Sequence, residues 1–143
     1  MQLSRESTIV CGILLIAVPT IMYGGVTLLG ILTEGVAGLK PGTLELNETQ
    51  RSLWRAGHAH AGVIVILSLI LQPLVDNTSY SNQIKWVARS CAPIASVVLP
   101  AGFFGLAFLA DFKVVVYVGI ILLATSMLLT GAGLLRSLQP RGA

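Results

Sequence analysis

Four long apolar runs restrict the fold of this chain more than any other feature. They cover residues 8–32, 48–74, 82–110 and 114–135, and each reaches the roughly 20 residues that a helix needs to cross a bilayer. Charged side chains make up 10% of the sequence, against about 25% in a soluble domain. So few charges cannot cover a surface that faces water. The sequence therefore predicts an all-α integral membrane protein, a single bundle of four transmembrane helices over residues 1–143.

Capping signals mark the limits of the second run. Asn47 is a favourable N-cap and Gln50 stands at the third helical position, an arrangement similar to a capping box. We expect Pro73 and the Asp76-Asn77 pair to end this helix. The second helix should therefore begin at about residue 48 with polar turns and only then enter the membrane.

The segments around the spans are short, with one exception. The connector over residues 34–46 is rich in glycine and is expected to fold over the end of the bundle. The first run is too long for the apolar core of a signal peptide, so we expect it to remain a span. The polar tail over residues 139–143 is expected to be loose. Prolines inside the spans predict kinks, at Pro19, Pro93 and Pro100.

The positive charges do not indicate nucleic-acid binding, because they are scattered and form no basic patch interleaved with aromatic residues. They bear on membrane orientation instead. The side with both termini carries five of them and the opposite side four, which predicts cytoplasmic termini. The first group is Arg5, Lys85, Arg89, Arg136 and Arg141, and the second is Lys40, Arg51, Arg55 and Lys113.

Two histidines stand at the mouth of the second apolar run, in the stretch W-R-A-G-H-A-H-A-G at residues 54–62. An ionisable side chain at this depth is costly when it faces lipid, so such groups usually face the bundle interior and have a function. On a helix, the spacing of four places Trp54, His58 and Gly62 on one face. His60 lies roughly 200° around the axis from His58 and points elsewhere.

The face with His58 has the chemistry of a haem-binding edge. Imidazole is an axial ligand of haem iron, and small neighbours let a flat macrocycle approach the helix. Arg51 and Arg55 would pair with haem propionates, and Trp54 would anchor the interface. Two plainer interpretations stay open. The arginines and the tryptophan are then ordinary interfacial anchors, and one of the histidines, His58 or His60, bonds a carbonyl that a proline has freed.

A zinc site is the weaker hypothesis. Zinc takes three or four clustered ligands, whereas the two histidines diverge on one helix with no thiol nearby. Cys11 and Cys91 each lie near the start of an apolar run, and we interpret them as buried small side chains without a disulfide.

Membrane depth adds an argument that does not depend on orientation. Because the chain alternates direction, the end of the first helix, the start of the second, the end of the third and the start of the fourth share one leaflet. Hydrogen-bonding side chains are therefore expected to gather at the level of the histidines. They are Tyr23, Thr27, His58, His60, Asp111 and Tyr117.

At these residues the chain resembles the membrane-bound styrene oxide isomerases, which are small four-span bacterial proteins that carry haem b. One similarity is the run Gly12-Ile13-Leu14-Leu15-Ile16 in the first helix, and another is the longer first connector. The most specific similarity is Trp54 four residues before His58 at the start of the second helix. A weaker one is Gly102-Phe103-Phe104 in the third helix.

The resemblance implies a cofactor, a substrate class and an assembly. His58 would be the axial ligand of haem b, and the protein would be a homotrimer in the bacterial inner membrane with haem between protomers. Ferric iron would act as a Lewis acid on the oxygen of a small apolar epoxide, and a 1,2-hydride shift would then give an aldehyde. His60 would line the distal pocket of a neighbouring haem, or ligate in place of His58.

The resemblance also implies a substrate pocket with apolar walls. The family has an asparagine where this chain has Ile64, and a tyrosine at about the position of Phe104, and both polar groups help to orient the epoxide. The expected pocket residues are Ile64, Phe103, Phe104 and Tyr117. Two other functions stay open: a non-enzymatic membrane haem protein for electron transfer or sensing, and an accessory membrane subunit without a cofactor.

Overall fold

A computed structural model of the protein describes residues 3–40, 42 and 44–138, and these residues contain no β-strand. The predicted tail at residues 139–143 lies outside them. Four helices, each long and apolar enough to cross a membrane, account for most of the described chain, which confirms the predicted four-helix bundle. They are α1 (Arg5–Leu32), α2 (Glu48–Asp76), α3 (Asn82–Leu106) and α4 (Lys113–Ser137), with one 3-10 turn over Ala110–Phe112 before α4.

The start of α2 agrees with its capping signals. The Asn47 side chain accepts a hydrogen bond from the Gln50 N–H, and the Gln50 side chain accepts one from the Asn47 N–H, both at 2.9 Å. Gln50 also donates to the Ala107 carbonyl at 3.0 Å. The capping box therefore begins α2 and ties it to the end of α3.

The α2 helix ends at Asp76 with Asn77 as its C-cap, as the Asp76-Asn77 pair predicts, but Pro73 lies inside the helix and does not end it. A proline removes one backbone donor, and a membrane helix tolerates that loss where nearby groups bond the freed carbonyls. The Asn77 side chain donates to the Pro73 carbonyl at 2.8 Å and so helps to close the last turn. The third helix ends at Leu106 rather than at residue 110, because the chain turns there into the 3-10 segment.

Glycine allows the helices α3 and α4 to pack closely against each other. A Cβ on Gly119 would lie 2.7 Å from the Leu99 Cβ and 2.8 Å from its Cα. Leu99 belongs with Ile64, Ala95 and Val116 to the buried apolar core of the bundle. By contrast, only 6% of the most apolar window of α1 is buried. The first helix is therefore peripheral to this core.

The connector between α1 and α2 folds back on the last turns of α1. The Leu39 N–H donates to the Val26 carbonyl at 3.1 Å, and a Cβ on Gly30 would meet the Leu39 backbone at 2.3 Å. Gly38 has a φ of 78°, in the left-handed region that glycine adopts without strain. The expected folding over the bundle end thus takes the form of a loop packed along α1.

A polar network joins α1, α2 and α3 at the opposite end of the bundle. Arg89 is 3% exposed, and its Nη2 donates to Asp76 Oδ1 at 2.5 Å. Its Nε donates to the Ser7 hydroxyl at 3.2 Å, and that hydroxyl donates to the Gln72 carbonyl. Arg89 is one of the charges from which the sequence predicts the membrane orientation, but in the structure it is buried and paired with Asp76.

We expect Gly119→Ala to lower the free energy of unfolding by about 1–3 kcal/mol, because the added methyl meets the Leu99 backbone, which cannot move aside like a side-chain tip. Gly131→Ala in the same helix is the matched control. A Cβ there meets nothing within 4 Å, so helix propensity should leave stability unchanged or raise it by up to about 1 kcal/mol. Unfolding in mixed detergent micelles measures both, and equal effects would contradict the packing argument.

Candidate functional site

His58 lies near the start of α2 with its ring against α1. A Cβ on Gly25 would lie 3.0 Å from His58 Nε2 and 3.1 Å from Cε1, so the glycine allows the imidazole to reach the backbone of α1. The side chain is half-buried. Within the described residues neither ring nitrogen has a hydrogen-bond partner. An imidazole without a partner at this depth is the feature on which a functional site can be built.

Two grooves meet at His58. The first has a volume of about 350 Å³ and lies toward the connector, with Trp54 and His58 on the α2 side and Phe104 from α3. The second, of about 250 Å³, runs further into the span past Gly62. A Cβ on Gly62 would meet nothing within 4 Å. Both grooves are predominantly apolar, which is typical of small-molecule sites.

Trp54 carries a polar atom without a partner in the first groove. Its Nε1 is buried and has no hydrogen bond within the described chain. Its ring makes edge-to-face contacts with Phe104 and Phe108, at centroid distances of 5.4 and 6.2 Å. A Cβ on Gly57 would lie 2.8 Å from the Phe104 ring, so the absence of a side chain at Gly57 allows Phe104 to pack against α2. A buried indole N–H with no acceptor is costly, and a ligand oxygen would reach it only after the surrounding aromatic rings have moved.

His60 lies on a different face, as the helical spacing predicts. Its ring stacks on Phe103 of α3 at a centroid distance of 4.9 Å, and its Nδ1 is 2.7 Å from the Ala56 carbonyl oxygen. Because a carbonyl only accepts, Nδ1 carries the proton, and in the neutral ring Nε2 keeps its lone pair. A histidine held in this way is suited to bind a metal through Nε2.

The two arginines of the predicted site are engaged with carboxylates. Arg51 is paired with Glu34 of the connector, and its Nε donates to the Leu46 carbonyl at 2.9 Å. Arg55 is exposed and lies 3.5 Å from Glu48. Both arginines thus stand at the mouth of α2. Each of them is paired with a glutamate of the chain, whereas the sequence predicts that each pairs with a haem propionate.

The predicted pocket residues separate into two groups. Phe104 lines the first groove beside Trp54 and His58. Ile64 is 1% exposed and belongs to the core, because six residues after His58 the helix has turned to the side that faces α3 and α4. Phe103 packs against the core and His60, and Tyr117 is 61% exposed on α4. The structure therefore brings one of the four to His58.

The first helix supplies the wall of the site that the sequence interpretation did not assign. Tyr23 and Thr27, which were expected at the level of the histidines, do share the groove with His58, whereas Asp111 is exposed on the 3-10 turn. The adjacent glycines Gly24 and Gly25 were the available signal. The α1 side chains that line the groove are Thr20, Tyr23, Thr27 and Leu28, together with Gly24.

The donor set decides which cofactors this site fits. In the described part of the chain no three His, Cys, Asp or Glu side chains come together as ligands of a metal ion, and Cys11 and Cys91 are free, partly buried thiols. A haem needs one imidazole and apolar walls. His58, the groove glycines and the Trp54 N–H fit such a group, whereas Arg51 and Arg55 would have to leave Glu34 and Glu48 to bind its propionates.

Comparison of the chain with protein-family models, with curated proteins and with solved structures gives no match.

The stability of the folded connector should depend on pH through Glu34. The hydrogen bond from Lys40, and then that from Arg51, lowers the pKa of the Glu34 carboxyl below its ordinary value. A carboxyl with a lowered pKa stabilises the folded state above its ordinary pKa, and this contribution is lost as the pH falls through the lowered value. We therefore expect residues 33–40 to lose amide protection in acid, as measured by hydrogen exchange corrected for intrinsic rates.

Glu34→Gln should remove this protection at neutral pH and abolish its pH dependence. Glu48→Gln is the matched control, since the Glu48 side chain is 78% exposed and lies 3.5 Å from Arg55. Equal exchange in Glu34→Gln and the unmodified protein at neutral pH would contradict the role of Glu34.

Proposed function

We propose that this protein binds haem b through His58 at the grooves between α1 and α2. One observation carries the proposal: an imidazole with no partner in the described chain faces two apolar grooves at membrane depth. A packed structural histidine would be expected to bond a carbonyl or a hydroxyl. His58 does neither, so a ligand outside the chain accounts best for its arrangement.

Each residue of the site has a part in this proposal. The His58 imidazole would hold the haem iron, and Gly24 and Gly62 leave open space beside it. The Trp54 N–H would hydrogen-bond an oxygen of the cofactor or of the substrate once its aromatic neighbours have moved. Bound ferric haem would supply a Lewis acid.

The reaction that we propose is the isomerisation of a small apolar epoxide, such as styrene oxide, to an aldehyde. Leu28 and Phe104 form apolar walls that take an aryl or alkyl group. The positions of the family's asparagine and tyrosine carry Ile64 and Phe104, neither of which can donate a hydrogen bond. Trp54 and Tyr23 replace them as donors that orient the epoxide oxygen.

The assembly that we propose is a homotrimer in the bacterial inner membrane, with the termini in the cytoplasm. The exposure of α1 supports it, because a helix with 6% of its apolar window buried has a face available for a second copy. The groove of one chain has a volume of about 350 Å³. A neighbouring protomer that completes this groove would cover more of the haem surface than one chain does.

A second candidate function is non-enzymatic, namely electron transfer or sensing by a six-coordinate haem. It rests on His60, whose Nδ1 lies 2.7 Å from the Ala56 carbonyl and whose Nε2 is therefore free to ligate. Because His60 is exposed and faces away from His58, it would reach the iron of a neighbouring protomer.

Absorption spectroscopy tests haem binding directly. The protein purified from haem-replete cells should show a Soret band, and His58→Ala should lose at least about nine-tenths of it, because a single axial bond holds the iron. His60→Ala is the matched control and should keep the band. A colourless protein after reconstitution with haemin, or a full band in His58→Ala, would overturn the proposal.

The spin state then separates the two functions. An open-site, high-spin ferric spectrum that does not change in His60→Ala supports the isomerase. A low-spin bis-histidine spectrum that becomes high-spin in His60→Ala supports electron transfer and contradicts the isomerase.

The contribution of Trp54 to catalysis has its own test. Trp54→Phe keeps the aromatic packing but removes the N–H, so kcat/KM for styrene oxide should fall by about tenfold, the effect of one lost hydrogen bond, while the Soret band persists. Trp86→Phe, at the other end of the bundle, is the control and should not change kcat/KM. Equal rates in both variants would show that the Trp54 N–H does not contact the substrate.

A further inference from the structure

A second cavity lies at the end of the bundle opposite the histidines. It has a volume of about 360 Å³ and opens between the first turn of α1, the last turn of α2 and the first turns of α3. Unlike the grooves at His58, it is lined largely by polar and charged side chains. None of the residues in the proposed haem site contributes to it.

One acid–base pair in this cavity is already satisfied within the chain. Both oxygens of Asp76 are occupied: Oδ1 accepts from the Arg89 guanidinium and the Ser4 hydroxyl, and Oδ2 accepts from the Ser4 N–H. Arg89 is 3% exposed, and its Nη1 forms no hydrogen bond with the described residues while its side chain lines the cavity. The pair is neutral as a whole, and it leaves the two N–H groups of Arg89 Nη1 for a ligand.

Two further charges of opposite sign line the same cavity without pairing. Lys85 donates to the Asp76 carbonyl at 3.0 Å, which leaves its positive charge uncompensated. Glu6, in the first turn of α1, has neither a hydrogen bond nor an ion pair with the described chain. The Lys85 ammonium nitrogen and the Glu6 carboxylate oxygens are more than 4.0 Å apart, so the two side chains form no ion pair with each other. A cavity that separates a free cation from a free anion suits a zwitterion.

From this arrangement we propose that the cavity binds the phosphoethanolamine headgroup of a membrane lipid. The phosphate lies between Lys85 and the free Arg89 donor, because charge-assisted hydrogen bonds from lysine and arginine are strong. The primary ammonium lies at Glu6, to which it donates a hydrogen bond. The net charge of the four ionic side chains is zero, so a headgroup that is itself neutral overall leaves no unbalanced charge.

The position of the cavity favours a lipid over a soluble phosphate ester. It lies at the ends of three helices that are long and apolar enough to cross a membrane, which is the level of the lipid headgroups in a bilayer. Trp86, 48% exposed at its rim, is of the residue type enriched at the membrane interface. Acyl chains would run along the exposed apolar side chains of the neighbouring turns.

The same contacts disfavour the other common headgroups. An anionic headgroup such as phosphatidylglycerol offers no cation to Glu6 and would be repelled by it. A choline headgroup cannot donate a hydrogen bond, and it would need an aromatic face. Trp86 already lies against Arg89, with the guanidinium carbon 5.5 Å from the ring centroid.

Native mass spectrometry of the detergent-solubilised full chain tests the proposal. The probes are phosphatidylethanolamine, phosphatidylglycerol and phosphatidylcholine with identical acyl chains, together with soluble phosphoethanolamine and inorganic phosphate as competitors. We expect phosphatidylethanolamine to bind about fivefold more tightly than the other two lipids, the effect of one charge near the membrane surface. Soluble phosphoethanolamine should displace it more effectively than inorganic phosphate.

Two variants separate the charges. Glu6→Gln should abolish the preference for phosphatidylethanolamine over phosphatidylglycerol, because no negative charge then repels the anionic lipid. Lys85→Gln should weaken the binding of both lipids by about fivefold. Glu48→Gln and Lys113→Gln, at the other end of the bundle, are the matched controls and should leave binding unchanged.

An unchanged lipid preference in Glu6→Gln would overturn the proposal. So would binding of phosphatidylcholine that is as tight as that of phosphatidylethanolamine. The proposal would also fail if inorganic phosphate displaced the lipid as effectively as phosphoethanolamine does. His58→Ala should retain the preference, so the lipid site and the haem site can fail separately.

Discussion

A bilayer offers no water to a polar group, so every donor and acceptor inside it needs a partner in the chain or in a ligand. The backbone groups of the four helices form hydrogen bonds within each helix. The polar side chains form different sets of hydrogen bonds at the two ends of the bundle. At one end Arg89, Asp76, Ser4 and Ser7 bond to one another across α1, α2 and α3. At the other end the imidazole of His58 and the indole N–H of Trp54 are left without partners.

Both ends leave some polar groups unpaired, since Glu6 at the Arg89 end has no ion pair with the described residues, but the Arg89 end also has a buried network that joins three helices. The Arg89 network contributes to stability and orientation of the helices, because removing one member of a buried ion pair leaves the other uncompensated. At the histidine end the polar contacts lie at the mouth of α2, where Gln50 donates to the Ala107 carbonyl and Arg51 pairs with Glu34, and the surroundings of His58 are apolar and aromatic, as in the contact of Phe104 with Gly57. A ligand there would satisfy groups that the fold does not.

The position of α1 joins these features into one functional hypothesis. The helix is attached at one end by Ser4 and Ser7 and at the other by the connector, whose Leu39 bonds back to Val26. Between these attachments α1 meets α2 through Gly25 and His58 and leaves grooves beside it. The proposed cofactor site thus lies beside the helix whose apolar window is the least buried of the four, where a neighbouring protomer would complete it.

The sequence by itself determined the class of the fold and the number of spans, because the length and apolarity of a span are properties of one segment and need no partner. Asn47 and Gln50 predicted the start of α2 for the same reason. It also singled out His58 and placed His60 on another face, since helical geometry follows from spacing alone. Only the tertiary structure decided that Ile64 lies in the core, that Arg51 and Arg55 bind carboxylates, and that Tyr23, Gly24 and Gly25 of α1 form the opposite wall. Those facts depend on how helices distant in sequence approach each other, and no local pattern of residues encodes that distance.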